Sequence, residues 1–286
     1  MTSFWIIYRA CYKWSENGGA RLGAALAYYT LFSIPPLILI AIHTAGAVFG
    51  EDAAKGKIHE RLESVMGNKV ALSVEKLVET AALPTETAWT PTISITILVF
   101  TALGAFLHVR TSLCTIWKLE PPHDNTWLAM LWDYVLAVIM VFITATLLLV
   151  SLAASFAVPI FRKVMEQANV ANDSDLEWVE LTTSFLFLTL LFAASYRILS
   201  GGRIPFGYVI YGSFIAAVLF TLGKTVLTYY LIYSGTESMY GAAGSIVVLL
   251  MWVYYSSQIL FFGAELIQAR RTRYEWLYGQ QPEAQG

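Results

Sequence analysis

The sequence predicts an all-α polytopic membrane protein, a bundle of six transmembrane helices, and two observations support this fold class. Of the 286 residues, 57% are hydrophobic and only 13% are charged, whereas about 25% are charged in an ordinary soluble domain. The apolar residues also gather into runs of about 20 or more, which can cross a hydrocarbon core roughly 30 Å thick. The net charge of −2 gives no basic surface for a phosphate backbone, so no nucleic-acid partner is expected.

Residues 1–20 predict a helix that lies in the membrane interface. Phe4, Ile7, Cys11 and Trp14 fall on one helical face, and charged residues fall on another, which is the pattern of an interfacial amphipathic helix. The basic residues do not precede an apolar stretch as they do in a secretory signal, so no cleavage is expected.

Six apolar spans follow this helix. Pro91 and Pro205 mark the starts of the second and fifth spans, since a proline at the first helical position needs no partner for an amide. Tryptophans at or beside the span ends suit the membrane–water boundary. Together the spans form a single membrane domain of residues 1–286 that ends in a cytoplasmic tail, 269–286. The predicted spans are 24–50, 91–117, 128–159, 179–199, 205–233 and 242–268.

Residues 51–88, between the first two spans, predict an extracytoplasmic amphipathic helical hairpin. Apolar residues recur there at helical spacing in two stretches. Gly67 and Asn68 separate the stretches, because both residues tolerate a turn that a helix cannot continue.

Lysine and arginine placement predicts that both termini face the cytoplasm. The segments on the N-terminal side hold ten of these residues, and the opposite side holds seven, most of them in the long 51–88 segment. Cys11 and Cys114 then lie on the reducing side, where no structural disulfide is expected.

Three separated motifs resemble the YihY/BrkB family. They are AALAYYTLFSIPPLILI in the first span, RIPFGYVIYGSFIAAVLFTLGKTVLTYYL in the fifth and YGAAGSIVVLLMWVYYSSQILFFGAEL in the last. The likeness covers nearly the whole chain and includes a lysine in the fifth helix and the closing YGxxGS and GAE elements. The resemblance implies six helices in a bacterial inner (plasma) membrane. The family has carried a virulence label and an older ribonuclease label, so the resemblance implies a fold and a location rather than a reaction.

Polar side chains at membrane depth are the candidate functional residues, because each costs several kcal/mol unless it is paired or hydrated. With a rise of about 1.5 Å per residue, Lys224 lies roughly 6 Å and His43 roughly 9 Å to the outer side of the midplane. Tyr254 lies near the midplane, and Gln258 lies about 4 Å to the inner side. These four residues therefore share one level of the bundle.

Lys224 shares a small, polar stripe of its helix with Thr221 and Thr228. This stripe is expected to face the bundle interior, where it would line a hydrated cavity that binds an anion. In the alternative interpretation the lysine extends along its stem to the interface, or rests against a carbonyl or a tyrosine hydroxyl.

Pro35 and Pro36 lie in the middle of the first span and remove two backbone donors. The helix is expected to kink or break near Ser33, with Tyr28 within two turns. A broken helix of this kind forms the binding site of several transporters. The alternative is a simple kink whose carbonyls are satisfied by neighbouring helices.

A second polar group is expected at the cytoplasmic mouth. It comprises Glu265, Arg110, Asp133 and Arg197. In one interpretation Glu265 is a gate or a proton carrier, and in the other it forms a structural salt bridge with an arginine. Its predicted depth, about 21 Å from Lys224 along the membrane normal, excludes a direct pairing of those two residues.

Three functions are compatible with this pattern. The first is a transporter or lipid flippase for an anionic solute or lipid, whose partners are membrane lipids and the anionic cargo. The second is a non-transporting scaffold of the envelope. The third is a membrane-bound nuclease, for which the scattered histidines supply no metal-binding cluster, and neither H-E-x-x-H nor G-x-S-x-G occurs. No catalytic residue, metal or cofactor is therefore expected.

Overall fold

The computed structural model describes residues 2–81, 90–119, 135, 173–233 and 243–278. The chain is helical over these ranges, and no strand occurs within them. Outside the described residues lie the predicted third span, 128–159, except for residue 135, and the segments 82–88 and 279–286. In chain order, the helices are α1 Thr2–Glu16, α2 Gly19–Phe49, α3 Glu51–Met66, α4 Asn68–Ala81, α5 Thr90–Trp117, α6 Asp173–Leu199, α7 Phe206–Tyr233 and α8 Gly244–Tyr278.

Two of these helices are long and apolar enough to cross a membrane. They contain the segments Phe206–Leu231 in α7 and Gly244–Tyr274 in α8. A further apolar segment, Ser184–Leu199 in α6, is shorter. The limits of α5 and α7 each differ by a single residue, at the N-terminus, from the predicted spans.

Three helices extend beyond their predicted spans into polar sequence. α2 begins at Gly19 rather than residue 24, and α6 begins at Asp173 rather than residue 179. α8 continues to Tyr278, so most of the predicted tail is helical. The predicted limits lie where the apolar residues end. The helices continue past these limits because the backbone hydrogen bond from residue i to residue i−4 does not depend on the side chain.

The first long helix does not unwind at its two prolines. α2 continues through Pro35 and Pro36 as helix, so the predicted break is wrong, whereas the kink expected as its alternative stays a prediction. A proline removes one amide donor from the helix interior, and the outcome is a bend when packing holds both flanking segments. Ile34 and Ile38, on either side of the prolines, pack against buried residues of α4 and α8.

Helices α3 and α4 pack against each other, and we refer to residues 51–81 as the α3–α4 pair. Gly67 joins them with φ of 86°, a conformation that glycine adopts without steric cost. Its amide donates to the carbonyl of Glu63 at 2.8 Å. Across the pair, Nδ1 of His59 lies 2.8 Å from Oε1 of Glu75.

Helix α8 is central in the packing, and aromatic side chains of its neighbours bond to its backbone. The Trp117 indole of α5 donates to the carbonyl of Ala264 at 3.0 Å. The Tyr196 hydroxyl of α6 donates to the carbonyl of Leu260 at 2.8 Å. Gly263 allows this approach, since a Cβ there would overlap the Tyr196 hydroxyl. A buried indole or phenol needs such an acceptor when water is excluded.

The two ends of the bundle have different neighbours. At the terminal end, α1 packs on the second half of α8 and shares a core cluster through Ile6, Ala10 and Leu266. Ile7 and Cys11, on the predicted apolar face of α1, are exposed. At the opposite end, which we call the far end, the α3–α4 pair packs against α2, α7 and the first half of α8.

Candidate functional site

Lys224 lies on the face of α7 that points into the bundle. Ala217, Phe220 and Leu231 share this face and are buried, as expected from the helical period of 3.6 residues. Lys224 itself is only half-buried. The interior-facing side of α7 is therefore less tightly covered at Lys224 than one or two turns away.

The α3–α4 pair covers the far end of this face. Nζ of Lys69 in α4 donates to the carbonyl of Leu231 at 2.5 Å. A cation is favourable here because the last carbonyls of a helix lack amide partners and carry partial negative charge. Gly67 lies directly against Thr228, whose hydroxyl oxygen would be 2.8 Å from a Cβ at position 67. The space beside Lys224 thus lies one turn beneath the α3–α4 pair.

The two threonines predicted to accompany Lys224 differ in position. Thr228 is half-buried beneath Gly67. Thr221 is exposed, and its hydroxyl donates to the carbonyl of Ala217 at 2.9 Å. Thr228 is therefore the better placed of the two to share a pocket with Lys224.

Tyr254 of α8 is exposed, and the contacts that reach α7 near Lys224 come from its neighbour, Tyr255. The hydroxyl of the adjacent Tyr255 donates to the carbonyl of Leu219 at 3.0 Å. Tyr255 also fills the space at Gly223, where a Cβ would overlap its hydroxyl. These contacts place residues 254–255 within a turn or two of Lys224 along the bundle.

Gln258 lies where α8 meets α2. Its side-chain amide nitrogen occupies the space where a Cβ would stand at Gly23. Both polar atoms of the amide are buried, and within the described part of the chain they have no hydrogen-bond partner. An unpaired buried amide costs about 1–3 kcal/mol, which makes Gln258 a candidate contact for a water or a ligand.

Glu265 is 2% exposed and is held by the turn between α1 and α2. Nδ2 of Asn17 donates to its Oε1 at 2.6 Å. In the salt-bridge interpretation the partner of Glu265 is an arginine, and the sequence gives no signal for Asn17, which is 248 residues away. Of the predicted partners, Arg197 instead donates to the carbonyls of Gly202 and Ile204.

The remaining predicted residues are dispersed. Tyr28 is exposed and packs edge-on against Phe32 rather than facing Lys224. Ser33, half-buried, donates to the carbonyl of Thr30 at 3.0 Å. Arg110 is nearly buried in α5, and Pro35 is half-buried in α2. The side chains of Pro36 and His43, and the whole of Asp133, lie outside the described residues.

The described side chains provide no metal centre. Across residues 2–81, 90–119, 173–233 and 243–278, no group of three or more histidine, cysteine, aspartate or glutamate residues is arranged to hold a metal ion. The chemistry available around Lys224 is therefore that of an ammonium, a phenol, hydroxyls and an amide.

Comparisons with known proteins identify similar chains. The family model described as virulence factor BrkB matches residues 10–285. A UPF0761 membrane protein of Alcanivorax borkumensis is 27% identical over 90% of this chain and 58% of its own length. One from Haemophilus influenzae is 23% identical over 89% of this chain and 90% of its own length. The chain thus spans little more than half of the Alcanivorax protein, and no solved structure matches.

Proposed function

The chain belongs to the BrkB family, and because its relatives are membrane proteins, we propose that it moves an anionic solute or an anionic lipid across the bacterial inner membrane. The observation that carries this proposal is the half-buried Lys224 on the otherwise buried face of α7. An ammonium group at membrane depth persists when it is hydrated or paired, and such groups mark solute pathways.

An anion is the cargo that this position suits. The lysine ammonium is a compact cation with three donors, and the threonine hydroxyl of position 228 lies one helical turn away from it, beneath Gly67. Carboxylates, inorganic anions and lipid phosphates all present the oxygen acceptors that these groups bind. In this mechanism the cargo enters at the far end, and the α3–α4 pair above Thr228 controls access.

The path beyond Lys224 leads toward the terminal end along the contact between α2 and α8. Gln258 would provide the next polar group, because its buried amide lacks a partner among the described residues. Glu265 and Asn17 close this contact at the terminal end. The carboxyl would then act as the gate on that side.

A proteoliposome assay tests the proposal with fluorescent phospholipids and small anions as cargo. Lys224→Met should reduce transport to the level of protein-free liposomes, because it removes the charge and keeps a similar length. Lys224→Arg should retain part of the activity, since it keeps the charge but changes its shape. Lys76→Met is the matched control, because Lys76 is exposed on α4 and its loss should leave transport unchanged.

A non-transporting envelope scaffold is the second candidate, and the packing of the terminal half favours it. Trp117, Tyr196 and Phe261 are fully buried there, and two of them bond to the backbone of α8. A scaffold predicts that Lys224→Met folds normally and melts at a higher temperature, because a tolerated buried charge is removed. If Lys224→Met melts at a higher temperature and the wild-type protein transports none of the tested cargoes, the scaffold function is supported and the transport proposal is wrong.

A further inference from the structure

A second site lies at the terminal end, far from Lys224. There, α1, the start of α7 and the end of α8 enclose an open cleft of about 460 Å³. Both lining arginines belong to α8, whereas the tyrosines come from α7 and α8. The cleft is lined by Ile6, Gly207, Tyr208, Arg270, Arg273 and Tyr274.

Aromatic rings hold the first arginine in place. The guanidinium carbon of Arg270 lies 4.1 Å from the ring centroid of Tyr211 and 6.0 Å from that of Tyr208. Tyr208 in turn packs edge-on against Tyr274 at 6.2 Å. Stacking uses the face of a guanidinium and leaves the donors at its edge directed outward in its plane. Arg270 is therefore oriented without the use of its hydrogen-bonding capacity.

The second arginine also lies against an aromatic ring. Arg273 lies 5.4 Å from the ring of Trp5, and Arg9 lies 4.9 Å from the same ring. The tryptophan of α1 thus joins two guanidinium groups from different helices. Two oriented arginines on one cleft match the paired oxygens of a phosphate, which arginine binds in a bidentate manner.

The surroundings of the cleft favour a lipid over a free anion. Phe206 at the start of α7 is 59% exposed, and Ile7 of α1 is exposed beside the cleft wall. The cleft lies at the limit of the two membrane-crossing segments, Phe206–Leu231 and Gly244–Tyr274. At this level a bilayer presents its phosphates, with acyl chains directly beneath them. The first turn of α7, at Gly207, also places the positive end of a helix dipole at the cleft, which favours an anion.

We propose that this cleft binds the phosphate of an anionic phospholipid in the leaflet at the terminal end. Arg270 and Arg273 bind the phosphate oxygens, and Ile6 and Phe206 contact the start of an acyl chain. This site does not depend on transport through the bundle, so it can be tested independently of the role of Lys224.

Native mass spectrometry of the full-length protein tests this site with phosphatidylglycerol and phosphatidylcholine as probes. The double variant Arg270→Gln/Arg273→Gln should bind phosphatidylglycerol at least about tenfold more weakly, because each charge-assisted contact contributes about that factor. The control Arg21→Gln/Lys118→Gln removes two exposed positive charges outside the cleft lining. It should change the affinity less than about twofold.

Arg270→Lys provides a variant that keeps the charge if the double variant does not fold. It should bind phosphatidylglycerol with intermediate affinity, since a lysine loses the stacking and the bidentate geometry. If the double variant and its control lose the same amount of affinity for phosphatidylglycerol, the proposed site is wrong. Displacement of phosphatidylglycerol by an equal concentration of inorganic phosphate would overturn the assignment to a lipid.

Discussion

Glu265 is a carboxyl group in the last turns of an apolar segment, where it is almost fully buried. A buried carboxyl requires a donor, because the desolvation of its oxygens is otherwise uncompensated. Asn17 supplies this donor from the turn that links α1 to α2. The same hydrogen bond therefore satisfies Glu265 and fixes the start of α2 against α8.

Replacement of Asn17 by alanine should destabilise the protein by roughly 1–3 kcal/mol, because it leaves the buried oxygen of Glu265 without its donor. Thermal unfolding in detergent measures this loss. Ser15→Ala changes an exposed residue of α1 and should alter the stability by less than about 0.5 kcal/mol. Equal stabilities of the Asn17→Ala and Ser15→Ala variants would show that the hydrogen bond does not contribute.

Pairs of this kind could not be predicted from the sequence. Apolar periodicity reports which residues lie in a helix, but it does not specify which polar atoms meet across helices. The sequence also gives no signal for the contact between Tyr196 and Gly263, since tyrosine and glycine each occur in many other contexts. The inward face of Lys224 could be predicted, because it follows from the helical period alone.

At the scale of the helices, the apolar elements are the ones that the sequence predicts best. The limits of α5 and α7 follow from hydropathy and from the starting prolines, Pro91 and Pro205. The α2 helix differs, because the sequence identifies the lost donors at Pro35 and Pro36 but not the packing that keeps the helix continuous. The separation of α3 from α4 at Gly67 could be predicted from turn propensity.

The attachment of the α3–α4 pair to α7 depends on Lys69. Lys69→Met should loosen this attachment, since it removes the donor to the carbonyl of Leu231 and the favourable charge at the end of α7. Hydrogen exchange of residues 51–81 should then rise about tenfold, as expected for the loss of roughly 1.4 kcal/mol of local stability.

Lys76→Met serves as the control for that exchange measurement, because Lys76 is exposed on the same helix. Its exchange rates should match those of the wild-type protein. If the Lys69 variant also matches the wild type, the bond to Leu231 does not hold the pair in place.

At the scale of the whole molecule, the helix packing and the charge distribution together define an orientation. The N-terminal helix and the end of α8 lie at the same end of the bundle, where lysines and arginines are concentrated. The positive-inside rule then predicts that this terminal end faces the cytoplasm. The α3–α4 pair at the far end would face the periplasmic side.

Cysteine labelling in intact cells measures this orientation with a reagent that does not cross the membrane. Cys11 is exposed and should react only after permeabilisation. A Lys76→Cys variant without the two native cysteines should react from outside, because position 76 is exposed at the far end. Labelling of Cys11 in intact cells would reverse the orientation.

The measurement that tests the central claim most directly is the access of water to position 224. Lys224→Cys, in a chain without Cys11 and Cys114, should react with a charged thiol reagent, because the proposed pathway brings water to this position. Ala217→Cys on the same face is fully buried, and Leu222→Cys lies on the exposed apolar side of α7, so both should remain unlabelled. If Lys224→Cys is as unreactive as these two controls, no aqueous space reaches position 224, and the transport proposal is contradicted.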